Sequence, residues 1–351
     1  MAFPFITLKH HGGVRMLVAL MNYLARRGYE VVAAVPANQF NPLYPIDSRV
    51  EVRLLRRSNE ASIFSKLKTL RDLYKALVEI DPDLIVANFF PTAYPAYLLR
   101  ERYKVLYIIQ DLPQFFAGPK ARAMLYSVRF PFRKIVVSNF LKEELGLPDA
   151  EVVPTGIEAE HFYPDPDPYL IQEKIYPAVL YFPRAQIYKG YPVFLETVRI
   201  LKERGLKFEV WLVTKEEETL NEFERMDVPA FLMPARNDDE LRRIYSSADV
   251  FVSSSLYEGL NLPPLEAMAC GTPVAMTDSG GSREYARDGV NALVVPRGDA
   301  EALARAIEKL LLDEELRARL VRAGLETAGR FTAERFCRRV EAIISQMLNA
   351  T

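Results

Sequence analysis

The chain has 351 residues, half of them hydrophobic and about a quarter charged, with a formal net charge of −1. That length suits two domains better than one core, and the near-neutral balance gives no electrostatic reason to expect a nucleic-acid partner. Two cysteines, Cys270 and Cys337, make neither a disulfide framework nor a zinc site, and no run approaches the roughly 18 apolar residues of a membrane span or forms a signal peptide, so a cytoplasmic setting is expected.

In chain order, MAFPFITLKHHGG is a weak first strand, a short apolar start broken by Pro4. The strand is either truncated or begins at the first residue. Gly12 and Gly13 open a helical pattern over residues 14–25, with Val14, Leu17, Val18, Met21 and Leu24 on one face and Gly28 just past its end. Adjacent glycines let a ligand approach the backbone, although a plain helix-start loop would use them equally. His10 and His11 precede them. With three histidines in the chain and no HxxxH-type spacing, no metal site is expected.

Buried-strand patterns follow at 31–35, 84–87, 105–109 and 135–137. Gln110 and Asp111 close the third of these at its carboxyl edge, where an Asp serves a ligand or caps a turn. Residues 122–134, RAMLYSVRFPFRK, interleave cations with aromatics. They read as a helix with a solvated basic face, or as a surface for a membrane or an anionic acceptor. Residues 155–168, TGIEAEHFYPDPDP, are rich in Pro and acid without period and read as a linker.

The second half repeats the plan. Strands are expected at 179–182, 208–213, 231–233, 250–253, 274–276 and 292–295, with helices at 193–203, 239–247, 264–270 and 301–312 between them. Near-continuous apolar strands alternating with helices argue two α/β domains, each a doubly wound parallel sheet with its ligands beyond the carboxyl ends of the strands. The expected domains are 1–160 and 170–330, with the natural site in a cleft between them. An amphipathic helix over 333–347 carries Phe336, Val340, Ile343, Ile344 and Met347 on one stripe.

Two stretches carry the most chemistry. In YEGLNLPPLEAMACGTP, residues 257–273, Pro263 and Pro264 suit a first helical turn and leave free N–H groups at a positive dipole end, an anion site. Glu258 lies in the loop ahead and Glu266 in the first turn, where a carboxylate can accept paired ribose hydroxyls. Glu266 could equally complement the helix dipole, and Glu258 be a solvated loop acid. In YFPRAQIYKGYP, residues 181–192, Arg184 and Lys189 follow a buried strand and suit a diphosphate, or are ordinary surface cations.

Taken together, GGVR near the start, VVPTGIEAEHFYP, the R-x4-KG loop, ADVFVSSSLYEGLNLPPLEAMACGTPV and GGSREYARDGVNALVVP resemble retaining glycosyltransferases of the GT-B fold, family GT4, over nearly the whole chain. The resemblance implies two Rossmann-like domains facing a cleft, with the closing helix, within 333–351, returning to the first. It implies that Glu266 binds the nucleotide ribose, that Glu258 contacts the transferred sugar, and that the backbone through Gly259, Leu260, Asn261 and Leu262 faces sugar hydroxyls and the β-phosphate. Arg184 and Lys189 would neutralise the leaving diphosphate. Gly12 and Gly13 would approach the phosphates, and Asp111 joins the catalytic candidates.

The implied reaction transfers a sugar from a nucleotide diphosphate sugar to a glycan, lipid-linked or small-molecule acceptor, without metal or cofactor. Peripheral contact with the inner face of a membrane is a further expectation. There are departures from the family pattern. Gln110 stands where many members have His, and it cannot take a proton as imidazole does. Asn261 replaces a usual Gly and would narrow or re-specify the sugar pocket. Residues 211–214 lack the glycines often seen there. IIQDLPQFF is similar to members that use dTDP-rhamnose; UDP- and GDP-sugars share the rest. A non-catalytic relative and a nucleotide-sugar epimerase of the same fold are the competing readings. The epimerase would need acid/base groups around the sugar ring that are in poor supply.

Overall fold

The computed structural model describes residues 1–8, 12–41, 44–56 and 63–350; His10 and His11 lie outside the described residues. Two compact units emerge, residues 1–155 with 333–351, and residues 156–332.

The first unit is built on seven parallel strands: β1 Ala2–Pro4, β2 Val31–Pro36, β3 Val50–Leu55, β4 Leu84–Ala87, β5 Lys104–Ile109, β6 Arg133–Val136 and β7 Glu151–Val152. Their order is β3-β2-β1-β4-β5-β6-β7, which reverses direction between β1 and β4. The weak first strand is therefore formed, and it is central. Pro4 is tolerated because its nitrogen faces β4, and that pairing is confined to Ala2 with Ile85. On the other side Phe5 N still donates to Ala34 O at 2.8 Å. The Pro4 carbonyl accepts the Asn88 side-chain amide at 2.8 Å, so the proline costs the sheet no buried partner.

The amphipathic C-terminal helix, Ala333–Asn349, belongs to this unit and buries Phe336, Cys337, Val340, Ile343 and Ile344. Glu341 ties it to the helix Gly12–Arg26, accepting from Tyr23 Oη at 2.8 Å and from Arg27 Nε at 3.1 Å. Lys104 Nζ donates to the carbonyls of Met347 and Ala350, each at 2.6 Å, where a helix leaves acceptors unmatched and attracts a cation.

The second unit has six parallel strands: β8 Ala178–Tyr181, β9 Glu209–Leu212, β10 Ala230–Leu232, β11 Val250–Ser253, β12 Val274–Thr277 and β13 Leu293–Val295. The order β10-β9-β8-β11-β12-β13 repeats the first unit's winding. Strands β8, β9, β11 and β12 are buried along their whole length, as a sheet covered on both faces requires. Tyr181 stacks on Phe194 at 3.7 Å between centroids, pinning the helix Tyr191–Glu203 to β8.

Two sequence expectations need correction. Residues 156–168 are not a loose linker. Ile157 bridges Thr332, Phe162 is buried beside the Tyr245 ring, and Asp165 pairs with the buried Arg242 at 3.0 Å. The first anchor is a backbone bridge, the other two are single side chains on the helix Asp238–Ser247, and such contacts leave no periodic pattern. Residues 122–134 are not one basic helix either. The helix Pro119–Ser127 stops, Phe130 and Phe132 turn inward, and Arg133 begins β6. Aromatic packing of Phe130 on Tyr97, at 4.2 Å, takes precedence over the charge pattern. Both cysteines are buried and neither is in a disulfide. No helix among the described residues is long and apolar enough to cross a membrane.

Candidate functional site

In the second unit the winding reverses between β8 and β11, and the chain just past both strands builds a small cavity there. After β8 it runs through Arg184 to a turn at Ile187–Lys189 that ends on Gly190. Gly190 has φ +68°, and a Cβ on it would lie 1.9 Å from the Ser254 carbonyl oxygen. Glycine is thus required on both conformational and steric grounds. The close approach is fastened by Ser254 Oγ donating to Gly190 O at 2.8 Å and by Leu256 N donating to Tyr188 O at 2.7 Å.

This fastening brings together charges far apart in sequence. Lys189 Nζ donates to both Glu258 carboxylate oxygens, at 2.8 and 3.0 Å, and Ser255 Oγ donates to Glu258 Oε1 at 2.8 Å. The Glu258 side chain is 10% exposed and that of Lys189 29%. Glu258 is also held by its backbone: its N–H donates to Ser279 O at 3.0 Å, and Gly281 N donates to its carbonyl at 3.2 Å. A Cβ at Gly281 would meet Gly259 O at 2.1 Å, so the glycine lets the two loops touch. Gly259 and Leu260 are buried in this junction. Arg184 is exposed beside it and makes no hydrogen bond or ion pair among the described residues.

The helix Leu262–Ala269 starts from Asn261 and carries prolines in its first turn. The cavity, about 60 Å³, is lined by Arg184, Lys189, Ser253, Ser255, Glu258 and Asn261 among others. Two cations, hydroxyls, a carboxylate and a helix N-terminus at one strand edge can receive an anionic, hydroxyl-rich ligand. Glu266 is not part of that lining. It is buried behind it, and Tyr245 Oη donates to its Oε2 at 2.9 Å. Burial, with the Glu266 charge beside it, holds the Tyr245 hydroxyl well above the usual tyrosine range, so Tyr245 remains a donor.

The first unit gathers the other sequence candidates at one edge of its own sheet. Among the described residues, a Cβ on Gly12 would meet nothing within 4 Å, whereas one on Gly13 would lie 3.1 Å from Gln110 Oε1. Gln110 Nε2 in turn approaches Gly13 O at 3.4 Å, so the glycine pair and the end of β5 are neighbours. Asp111 follows Gln110. Part of its side chain reaches solvent, yet crowding by protein pushes its carboxyl up to about 7.

Sequence reasoning missed Ser254, Ser255, Tyr245 and the role of Gly281. The signal available was a run of three serines at the end of a buried strand, where hydroxyls have no packing use. Elsewhere among the described residues, Glu158, His161 and Asp238 bring candidate metal-ligand atoms within 4.8 Å of one another; none of the three lines the cavity.

The comparisons with known proteins bear on the family and the fold. The model of glycosyl transferases group 1 matches residues 170–327, and that of glycosyltransferase family 4 matches residues 10–161. The lipopolysaccharide core biosynthesis glycosyltransferase LpsE of Rhizobium meliloti is 47% identical over 97 residues, 27% of this chain and 28% of that protein. The curated relatives it matches are each spanned over less than half of their length.

Among solved structures, sucrose-phosphate synthase from Thermosynechococcus elongatus superposes with a TM-score of 0.84 at 21% identity, covering 100% of this chain and 99% of that one. Anabaena HepE in complex with UDP-glucose gives 0.77 at 17% identity, covering 98% and 99%. At those identities the likeness speaks for the fold. With family models matching both halves and the fold matching end to end, the chain belongs to the family 4 glycosyltransferases of the GT-B fold.

Proposed function

We propose that the protein is a retaining glycosyltransferase that moves a sugar from a nucleotide diphosphate sugar to a glycan, lipid-linked or small-molecule acceptor. The observation that carries this reading is the Lys189–Glu258–Ser255 cluster at the β8/β11 switch point, with Arg184 beside it and the N-terminus of the helix Leu262–Ala269 opening next to it.

In this reading the donor diphosphate takes Lys189 from Glu258. The bidentate ion pair is then a placeholder. Lys189 and Arg184 neutralise the leaving group, and Glu258, still held by Ser255, receives hydroxyls of the sugar. Glu266 takes the ribose hydroxyls. The C1–O bond to the β-phosphate breaks as the acceptor oxygen bonds to C1 on the same face, and the acceptor proton passes to the departing phosphate oxygen. Charge building on the diphosphate meets preorganised cations and a helix dipole, the arrangement that most effectively lowers such a barrier. These groups supply the neutralisation a divalent ion provides elsewhere, so turnover is expected to be metal-independent. The first unit, with Gly12, Gly13, Gln110 and Asp111 at one edge of its own sheet, serves the acceptor.

A UDP-sugar is the leading donor, by analogy with the UDP-glucose complex of HepE; dTDP-rhamnose and GDP-hexoses are the alternatives. Thermal stabilisation by a panel of UDP, dTDP, GDP and ADP with their glycosides tests the reading, because a ligand of the native state raises stability by mass action. A shift with one nucleotide family, and transfer insensitive to chelator, is the expected result. No shift with any of them would remove the donor site as described.

A further inference from the structure

We propose that Asn261 is a specificity-determining residue that selects an unsubstituted sugar ring over one bearing an acetamido group. This rests on the donor-site reading above. Asn261 holds φ 74° and ψ 74°, a left-handed conformation that costs most side chains on the order of 1–2 kcal/mol and glycine almost nothing. Asparagine tolerates it better than other side chains do, but glycine would serve the backbone as well. The side chain is not recruited as a helix cap, since it makes no capping hydrogen bond to the helix it precedes.

Its anchoring is inward. Nδ2 donates to Ser253 Oγ at 3.1 Å and to Ser279 Oγ at 3.4 Å, and the main-chain carbonyl accepts Tyr285 Oη at 2.5 Å. The residue is 7% exposed and lines the same cavity as Arg184, Lys189 and Glu258. Among the described residues its amide oxygen accepts no hydrogen bond. The side chain is thus a fixed wall with an acceptor to spare. A sugar hydroxyl can donate to that oxygen. An acetamido substituent would need the space the side chain fills, and the Asn side chain is itself of acetamide size. Glycine at this position would vacate a matching volume without straining the loop.

The test compares wild type with Asn261→Gly and Asn261→Asp. It measures affinity for the nucleoside diphosphate the protein binds best, for its hexose conjugate and for its N-acetylhexosamine conjugate. Wild type should favour the hexose by tenfold or more. Asn261→Gly, which relaxes the backbone and so folds, should cut that preference, read as the ratio of the two conjugates' affinities, at least tenfold. Asn261→Asp keeps the size and should keep the preference. A wild type that favours the acetamido sugar, an unchanged preference in Asn261→Gly, or an Asn261→Asp as permissive as Asn261→Gly would each overturn the proposal. Failure of both wild type and variants to bind any nucleoside diphosphate would instead overturn the donor-site reading, and this proposal with it.

Discussion

The two units are wound alike and furnished differently. Both sheets run 3-2-1-4-5-6 in local order, the first with one further strand, so both reverse at equivalent points. Among the described residues of the first unit that point is largely aromatic: Asn88 reaches across to Pro4 O, and the rings of Phe89, Phe90 and Phe116 cluster beside it. In the second the same point is an open polar pocket, where a lysine and a glutamate bond each other across the β8 and β11 loops. Topology thus offers the same position twice, and the residues at the strand ends decide what chemistry each one presents.

Four variants probe that contrast. Gly190→Ala in the second unit should have the largest effect, at least about 3 kcal/mol of stability, because it adds a clash with the Ser254 carbonyl to positive-φ strain. Calorimetry should show the melting point falling by roughly 6 °C or more; a wild-type melting point would mean the two loops are not locked. Next comes the pair Arg184→Ala with Lys189→Ala. Charge-assisted contacts are worth roughly 1.5–3 kcal/mol each, so kcat/KM should fall by well over tenfold. Retention of full transfer would remove the phosphate role and with it the functional asymmetry of the units.

In the first unit, Asp111→Asn should act through pH. The folded carboxyl titrates near 7 against 3.8 for the free group. The native state therefore keeps a proton that the unfolded chain releases between those values, and wild-type stability falls as pH rises from about 4 to 7. Asn cannot ionise, so the variant should match wild type below pH 4 and exceed it at pH 8, by about 1–2 kcal/mol once partial solvent access is allowed for. Denaturation midpoints that differ by the same amount at pH 4 and pH 8 would contradict the shifted carboxyl. The smallest effect is expected for Gly12→Ala, where nothing among the described residues lies within 4 Å of the new Cβ. Stability should change by less than about 1 kcal/mol, in the stabilising direction if at all. Lost transfer in a variant that melts normally would show that a ligand uses the space above Gly12.

Neither unit was read completely. In the second unit, the strands and charged loops carried their signals locally: apolar runs such as 250–253, glycines at turn positions, prolines at a helix start; the helices Leu220–Arg225 and Glu314–Ala328 went unread. In the first unit the edge strands β3 and β7 went unread, as did the helices Ile63–Ile80 and Phe90–Leu98, the latter with its internal Pro95. Edge strands need only partial burial, and a packed proline-bearing helix breaks the propensity rules. The segment 156–168 was misjudged because it is held by side chains from a helix some 80 positions later.

By itself the sequence determined the α/β class, the alternation that forces parallel sheets, the family, and the residue types that can meet a diphosphate, because each rests on local periodicity or on a contiguous motif. Only the tertiary structure decided that Lys189 is engaged by Glu258, that Ser255 holds that carboxylate, that Glu266 is buried against Tyr245, and that Gln110 lies against Gly13. Those are pairings between distant loops, and they follow from which strand ends the winding of each sheet sets side by side.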